Sequence, residues 1–281
     1  MKSAGLLNKK ITKRLNSFCA NSELRLLGSN AIRGVLFPAD VDTQCIVIDL
    51  SADELAKHIQ SAVRDLGEAF ITEFKITIGK TKYRWTQSEL LKGKKGSMSL
   101  SQALLQADGI VKCDMIIPVA EGFVDATINY IITLDGVSNI TPTSKKDKIE
   151  ELKGEIEEYK KDNLFKALKR RFSILRLQGK NTDHILPFFN SEVGLLSQIR
   201  NELELLIELK KRKLGFNRLE SFIQNIKHKL GLSLIDKEIL FKMNDWNDAN
   251  LVKNANSLIK ILLRQINQDT QTFLKIHKIK I

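Results

Sequence analysis

The chain has 281 residues and carries 45 Lys and Arg against 33 Asp and Glu, a net charge of +12. This length can bury one large core or two small ones, and only 4 Pro and 15 Gly exclude a collagenous or broadly disordered protein. The basic balance favours a polyanionic partner such as nucleic acid or nucleotides, although a solvated basic surface would give the same count.

The three cysteines, Cys19, Cys45 and Cys113, fit no metal-ligand spacing. Their odd number favours free, buried thiols in a reducing compartment. The N-terminal segment lacks the apolar region of a signal peptide, and no stretch approaches 18 consecutive apolar residues. We therefore expect an intracellular protein that does not associate with a membrane.

Residues 1–140 alternate predicted strands and helices. Ser51 and Glu54 form a capping-box-like helix start, and the apolar spacing that follows predicts an amphipathic helix. A short helix is predicted over 99–106. Alternating or β-branched apolar runs predict the strands, which cover 23–27, 41–50, 70–78, 110–119 and 123–134.

The chain changes character in the turn-like stretch 140–146. Residues 1–140 hold 17 basic and 15 acidic side chains, whereas residues 141–281 hold 28 and 18 and show only helical periodicity. The sequence therefore predicts an α+β protein: a mixed-sheet domain with flanking helices over 1–140, then a basic, all-helical domain over 141–281.

One segment of the first half combines residue types that suit phosphate and metal chemistry. Gly28 and Ser29 end a predicted strand, ten residues intervene, and Asp40 and Asp42 open the next strand. Glycine lets the backbone approach a phosphate, and a serine hydroxyl and N–H at a helix start can bind it. Two aspartates two residues apart on a strand point to one face, where their oxygens can ligate Mg²⁺.

This pattern resembles the nucleotidyltransferase superfamily, which includes poly(A) polymerases and DNA polymerase β. Its members have Gly-Ser, then Asp-x-Asp or Asp-x-Glu about a dozen residues later, then a third carboxylate on a later strand. Asp114, flanked by apolar strand residues, matches that third position best, and Asp125 is the reserve candidate. Arg33, the Phe37-Pro38 pair and the basic helical half make the chain similar to members encoded by large DNA viruses.

The resemblance implies a metal-dependent nucleotidyl transfer from an NTP to a hydroxyl, poly(A)-polymerase-like if the acceptor is a nucleic-acid 3′ end. Asp40, Asp42 and Asp114 would hold Mg²⁺ or Mn²⁺, and Asp114 would help to deprotonate the acceptor. Gly28 and Ser29 would hold the β- and γ-phosphates. A viral protein of this kind would act in the host cytoplasm or the virion, alone or with a protein partner.

Two other interpretations remain open. A catalytically inactive protein on the same fold would act as a nucleic-acid-binding or virion structural protein, and an active enzyme could instead modify a protein or a small molecule. The aspartate pair could also lie in a solvated surface turn. Three converging carboxylates would favour the enzyme, because a scaffold has no need of them.

The densest basic cluster of the second half contains Lys169, Arg170 and Arg171. We expect this cluster to contact nucleic-acid phosphates, unless its charges belong to helix faces that neighbouring glutamates neutralise. The segment around Gly79 lacks the earlier glycine that a P-loop requires, so it is not a nucleotide site.

Overall fold

The computed structural model describes residues 11, 13–19, 24–27, 40–66, 70–119, 122–134, 137–138, 144–235 and 237–281. The described residues up to 138 form one compact unit and those from 144 onward form a second. The domain boundaries predicted from the sequence, 1–140 and 141–281, stay predictions. The roles assigned to the two halves remain predictions.

The first unit is built on a mixed sheet. Its strands are β1 (Leu24–Leu26), β2 (Val41–Leu50), β3 (Phe70–Ile78), β4 (Thr81–Trp85), β7 (Val111–Val119), β8 (Gly122–Leu134) and β9 (Val137–Ser138). The described strands follow the order β1-β2-β8-β7-β3-β4, with β9 pairing β8. Strands β2 and β8 are parallel, whereas the other neighbours are antiparallel. A separate small hairpin joins β5 (Lys94–Lys95) to β6 (Met98–Ser99).

The two faces of this sheet differ in polarity because its strands alternate. On β7, Cys113, Met115 and Ile117 are buried in the core, whereas Lys112 and Asp114 point to the opposite face. The core side is packed with apolar residues of the helices α1 (Ala52–Asp65), α2 (Gln87–Lys92) and α3 (Leu100–Leu105) and of the 3-10 turn Asn16–Phe18. The sheet therefore has one apolar, buried face and an opposite face that carries the polar side chains of β7.

The predicted helix start at Ser51 is confirmed. The Ser51 hydroxyl accepts a hydrogen bond from the Glu54 N–H (3.2 Å), and the Ser51 N–H donates to Glu54 Oε2 (2.9 Å). This reciprocal pair satisfies two backbone donors of the first turn of α1. The helix then buries Leu55 and Ile59 against the sheet.

The strand β4 and the helix α2 are absent from the elements that the sequence predicts. Gly79, with φ of 57°, lies in the tight turn between β3 and β4. Only glycine adopts such a backbone at no cost, so the segment set aside as a P-loop is a hairpin turn. Strand β4 is missed because it is short and mostly polar, with only Trp85 buried.

The expectation of three free thiols is wrong for two of them. Cys19 and Cys45 form a disulfide with Cα atoms 5.6 Å apart, whereas Cys113 is free and buried. The sequence gives no sign of this pairing, because folding brings the 3-10 turn onto the inner face of β2 from 26 residues away. Because two of the three cysteines are disulfide-bonded, the cysteines no longer indicate a reducing compartment.

The described part of the second unit consists of helices and the turns that connect them. The helices are α4 (Lys145–Tyr159), α5 (Leu164–Leu177), α6 (Leu186–Phe189), α7 (Glu192–Lys211), α8 (Phe216–Gly231), α9 (Lys237–Lys242) and α10 (Leu251–Ile276). The long helices α7 and α10 pack along each other, and α4 packs against α5. Asn267 on α10 accepts a hydrogen bond from the Leu164 N–H (3.0 Å) and donates one to the Asp162 carbonyl (2.9 Å), so one side chain joins α10 to the start of α5. In the described part of the chain, no helix is both long enough and apolar enough to cross a bilayer.

Tyr130 on β8 provides a test of the core of the first unit. Its ring is fully buried beside Phe74, with 5.7 Å between the ring centroids, and its hydroxyl has no hydrogen-bond partner within the described residues. A buried, unsatisfied hydroxyl costs about 1–3 kcal/mol. We expect Tyr130→Phe to leave the free energy of unfolding unchanged or to raise it by about 1 kcal/mol, measured by urea denaturation. Phe74→Ala, which leaves a cavity at the same contact, should lower it by about 3–5 kcal/mol.

Candidate active site

The polar face of the sheet collects carboxylates from three strands. In the β2–β8 register Asp42 lies opposite Thr127, and in the β7–β8 register Asp114 lies opposite the same residue. Asp40 and Asp125 precede Asp42 and Thr127 by two residues, so they lie on the same side of the sheet. Because β2 and β8 are parallel, with Val41 opposite Ala126, Asp40 and Asp125 occupy neighbouring positions.

Asp114 is held in a network of cations. Its Oδ2 lies 2.7 Å from Lys75 Nζ and its Oδ1 lies 3.4 Å from Lys112 Nζ, while the Thr127 hydroxyl donates to Oδ1 at 3.0 Å. Lys75 also pairs with Glu73 at 2.5 Å. Burial acts to raise the pKa of Asp114, but the two ammonium groups and the Thr127 hydroxyl outweigh it and hold that pKa below its usual value.

Asp125 lies in the opposite environment. Loss of hydration on the sheet face and the carboxylates of Asp40, Asp114 and Asp42 raise the pKa of Asp125 to about 6, with Lys112 opposing the rise. Two carboxyl groups on one face therefore differ in the charge around them: Asp114 is neutralised by lysines, whereas Asp125 is destabilised in its ionised form by other acids.

The donor set on this face suits a divalent cation. Carboxylate oxygens are the ligands that Mg²⁺ and Mn²⁺ prefer, and a cation would relieve the repulsion that raises the pKa of Asp125. In the side-chain positions of the described residues, no three Asp, Glu, His or Cys groups already surround a common point. Ligation would therefore require the side chains of Asp40, Asp42 and Asp125 to turn toward the ion.

The remaining predicted site residues are the phosphate-binding pair Gly28 and Ser29 and the basic cluster that contains Arg170. Gly28 and Ser29 lie outside the described residues. Arg170 pairs with Glu155 through its Nε and lies over the Tyr159 ring, 5.9 Å from the ring centroid.

The two neighbours of Arg170 face other groups of the second unit. Lys169 places its ammonium 5.0 Å from the centroid of Phe165, and Arg171 is half-buried with its Nε out of contact with solvent. The structure thus directs the three side chains of this basic cluster to different surroundings. Their contact with nucleic acid remains a prediction.

Lys75 and Lys112 are site residues that the sequence interpretation missed. Both alternate with buried residues on their strands, Lys75 between Phe74 and Ile76 and Lys112 two residues before Asp114. The period of two places them on the carboxylate face, so the signal was present. The contact of Lys75 with Asp114 depends on the pairing of β3 with β7, which the sequence does not show, whereas Lys112 lies on the same strand as Asp114.

Known proteins share this fold. No protein-family model matches the chain. A solved structure described as a new nucleotidyl transferase encoded by a Megaviridae ORFan gene superposes with a TM-score of 0.70 at 11% identity, covering 96% of this chain and 89% of that one. The Mg662 protein of M. chilensis, solved in complex with GTP, gives a TM-score of 0.62 at 11% identity over 99% and 93% of the two chains.

A curated relative comes from the Sputnik virophage. It is the uncharacterized protein V21, which is 31% identical over 198 residues, or 59% of this chain. The chain covers 43% of the length of that relative. The α+β fold predicted from the sequence is confirmed: the chain shares its fold with the solved structure described as a nucleotidyl transferase, and one of its relatives is a virophage protein.

The pKa of Asp125 gives a stability test that needs no activity. A carboxyl whose pKa is raised in the folded state stabilises the fold while it is protonated, and this contribution is lost as the pH rises from about 4 through about 6. We expect Asp125→Asn to raise Tm at pH 7.5 by about 2–4 °C, on the order of 1 kcal/mol after allowance for solvent screening, and to have little effect at pH 4.

Asp114→Asn, which leaves Lys75 and Lys112 without their partner, should lower Tm at pH 7.5. Differential scanning calorimetry at both pH values measures both shifts, and a lower Tm for Asp125→Asn at pH 7.5 would contradict the assignment.

Proposed function

We propose that this protein is a metal-dependent nucleotidyltransferase that moves a nucleotidyl group from an NTP to a hydroxyl. The observation that carries the proposal is the mutual repulsion of Asp40, Asp42 and Asp125 on one face of a nucleotidyltransferase fold. Carboxylates that repel one another are costly to keep together unless a cation or a proton binds there. The complex of the Mg662 protein with GTP supports a nucleoside triphosphate as the donor.

Asp125 is the third carboxylate in this proposal, in place of Asp114. Asp125 lies on the strand adjacent to β2, next to Asp40. Asp114 lies one strand farther away, and its oxygens face Lys75, Lys112 and Thr127. A carboxylate neutralised by two lysines has less charge to offer a metal ion, so Asp114 serves to position the lysines.

The residues of this face would act as follows. Asp40, Asp42 and Asp125 would hold Mg²⁺ or Mn²⁺, which when bound would neutralise charge on the reacting phosphate. The acceptor hydroxyl oxygen forms a bond to the α-phosphorus, the bond from that phosphorus to the β-phosphate oxygen breaks, and pyrophosphate leaves. The Asp125 carboxylate would also accept the proton of the acceptor hydroxyl.

The acceptor in this proposal is the 3′ end of a nucleic acid, which makes the reaction poly(A)-polymerase-like. The second half of the chain supports this choice, because it holds 28 basic and 18 acidic residues. A basic surface attracts the phosphate backbone and raises the local concentration of a polyanionic acceptor. Gly28 and Ser29 are proposed to bind the phosphates of the donor, on the strength of the sequence motif.

The test is primer extension with labelled single-stranded RNA and DNA, each NTP in turn, and Mg²⁺ or Mn²⁺. We expect Asp40→Asn, Asp42→Asn and Asp125→Asn each to lower turnover by at least about 10²-fold, the scale lost when a principal electrostatic contributor is removed. Asp114→Asn should retain more activity than Asp125→Asn. Asp65→Asn, an exposed aspartate on α1, is the matched control and should extend primers as the unchanged protein does.

Three results would contradict parts of this proposal. Full activity of the Asp40 and Asp42 variants would show that this face of the sheet is not the active site. A larger loss in Asp114→Asn than in Asp125→Asn would restore Asp114 as the third carboxylate. No transfer with either metal, together with primer binding that weakens as salt rises, would indicate a nucleic-acid-binding protein that shares the fold without the activity.

A further inference from the structure

A column of aromatic rings runs through the second unit from its core to its surface. Phe188 and Phe273 are stacked, with 4.1 Å between ring centroids and 11° between ring planes. The ring centroid of His277 lies 4.3 Å from that of Phe273, and the ring centroid of His184 lies 6.1 Å from that of His277. The two phenylalanines are half-buried, whereas both histidines are exposed. The column therefore ends at the surface in two imidazole rings.

The inner end of the column is anchored in the core. Phe188 meets the buried Phe165 edge-on, with 6.0 Å between centroids, and its neighbour Phe189 packs edge-on against both Phe165 and Phe172. Phe273 and His277 are one turn apart at the end of α10, so the helix backbone fixes their spacing. His277 is thus backed by packed aromatic rings, so it loses less conformational entropy than an unsupported side chain when a ligand stacks on it.

The chain segments that carry the two exposed rings are basic. Residues 270–281, which include His277, contain three lysines and no acidic residue. The segment 176–184, which brings His184 to the column, adds Arg176 and Lys180 against one acid, Asp183. None of the ion pairs formed among the described residues uses the lysines of this surface, which are Lys180, Lys275, Lys278 and Lys280.

We propose that this surface, the His184–His277 platform, binds single-stranded nucleic acid. Unpaired bases would stack on the two imidazole rings, and the adjacent phosphates would contact Lys275 and Lys278. Aromatic rings that end in a cationic surface suit this ligand, because every base offers a flat π-face and every nucleotide a negative charge. A duplex keeps its base faces covered, so it can use the lysines but not the rings. The proposal concerns binding alone and stands apart from the transfer reaction.

Fluorescence anisotropy with labelled 12-nucleotide single strands, in the absence of NTP and metal, tests the proposal on the full chain. The variant His184→Ala/His277→Ala should weaken binding by at least about tenfold, since one stacked base contributes about 1–3 kcal/mol. Its dependence on salt should be unchanged, because no phosphate contact is lost. A matched duplex should bind more weakly than the single strand and should be indifferent to the histidine changes.

The lysines predict a different signature. Lys275→Gln/Lys278→Gln should lower the slope of log affinity against log salt concentration by about 1.4, which corresponds to two lost contacts with a single strand. The matched control is Lys253→Gln/Lys260→Gln, which removes two exposed lysines from the same helix, α10, more than about 20 Å away along its axis. This control should retain the wild-type slope.

Each contrary outcome overturns the proposal. Wild-type affinity in the double histidine variant, with an unchanged Tm showing that it is folded, would exclude stacking on these rings. An equal loss of slope in the control variant would indicate diffuse attraction rather than a site. Equal affinity for the duplex, or no binding of a single strand, would show that the rings do not receive bases.

Discussion

The parallel pairing of β2 with β8 is the constraint on which the candidate active site depends. It aligns the start of β2 with the N-terminal part of β8, so that Asp40 and Asp125 become neighbours although 85 positions separate them in the sequence. An antiparallel pairing would bring the opposite end of β2 beside Asp125 and leave its acidic start elsewhere. The buried alternation of both strands fixes the register, because a shift by one residue would turn the aspartates into the core.

Two aspartates on the polar face of the sheet have neighbours of opposite charge. Lys75 and Lys112 approach Asp114, and their ammonium groups lower the pKa of that carboxyl. Burial, and then the repulsion of the other acids, raise the pKa of Asp125 to about 6. This division gives two aspartates of the same sheet different chemistry: one holds cations of the protein, and the other is suited to a proton or a metal ion.

The features that could be predicted from the sequence are those made by residues close together in the chain. The capping box at Ser51, the alternation of β7 and β8 and the Asp40–Asp42 pair are local, and each could be recognised from residues two to four apart. The choice between Asp114 and Asp125 could not, because both lie on the polar face of an apolar strand. It depends on which strand pairs with β2 and where the lysines of the neighbouring strands point.

Contacts between distant parts of the sequence were missed for the same reason. The Cys19–Cys45 disulfide and the contact of His184 with His277 join segments that are far apart in the sequence, so no spacing predicts them. Counts of basic residues likewise favoured the dense cluster on α5. Yet Arg170 of that cluster pairs with a glutamate, whereas the sparser lysines at the end of the chain are sequence neighbours of the exposed ring of His277.

For recognition of a polyanion, the number of cations in a stretch of sequence matters less than how many of them have no acidic partner. A lysine or arginine that already pairs with a carboxylate must exchange that partner for a phosphate and gains little from the exchange. One without an acidic partner releases counterions when it binds and contributes fully to the affinity.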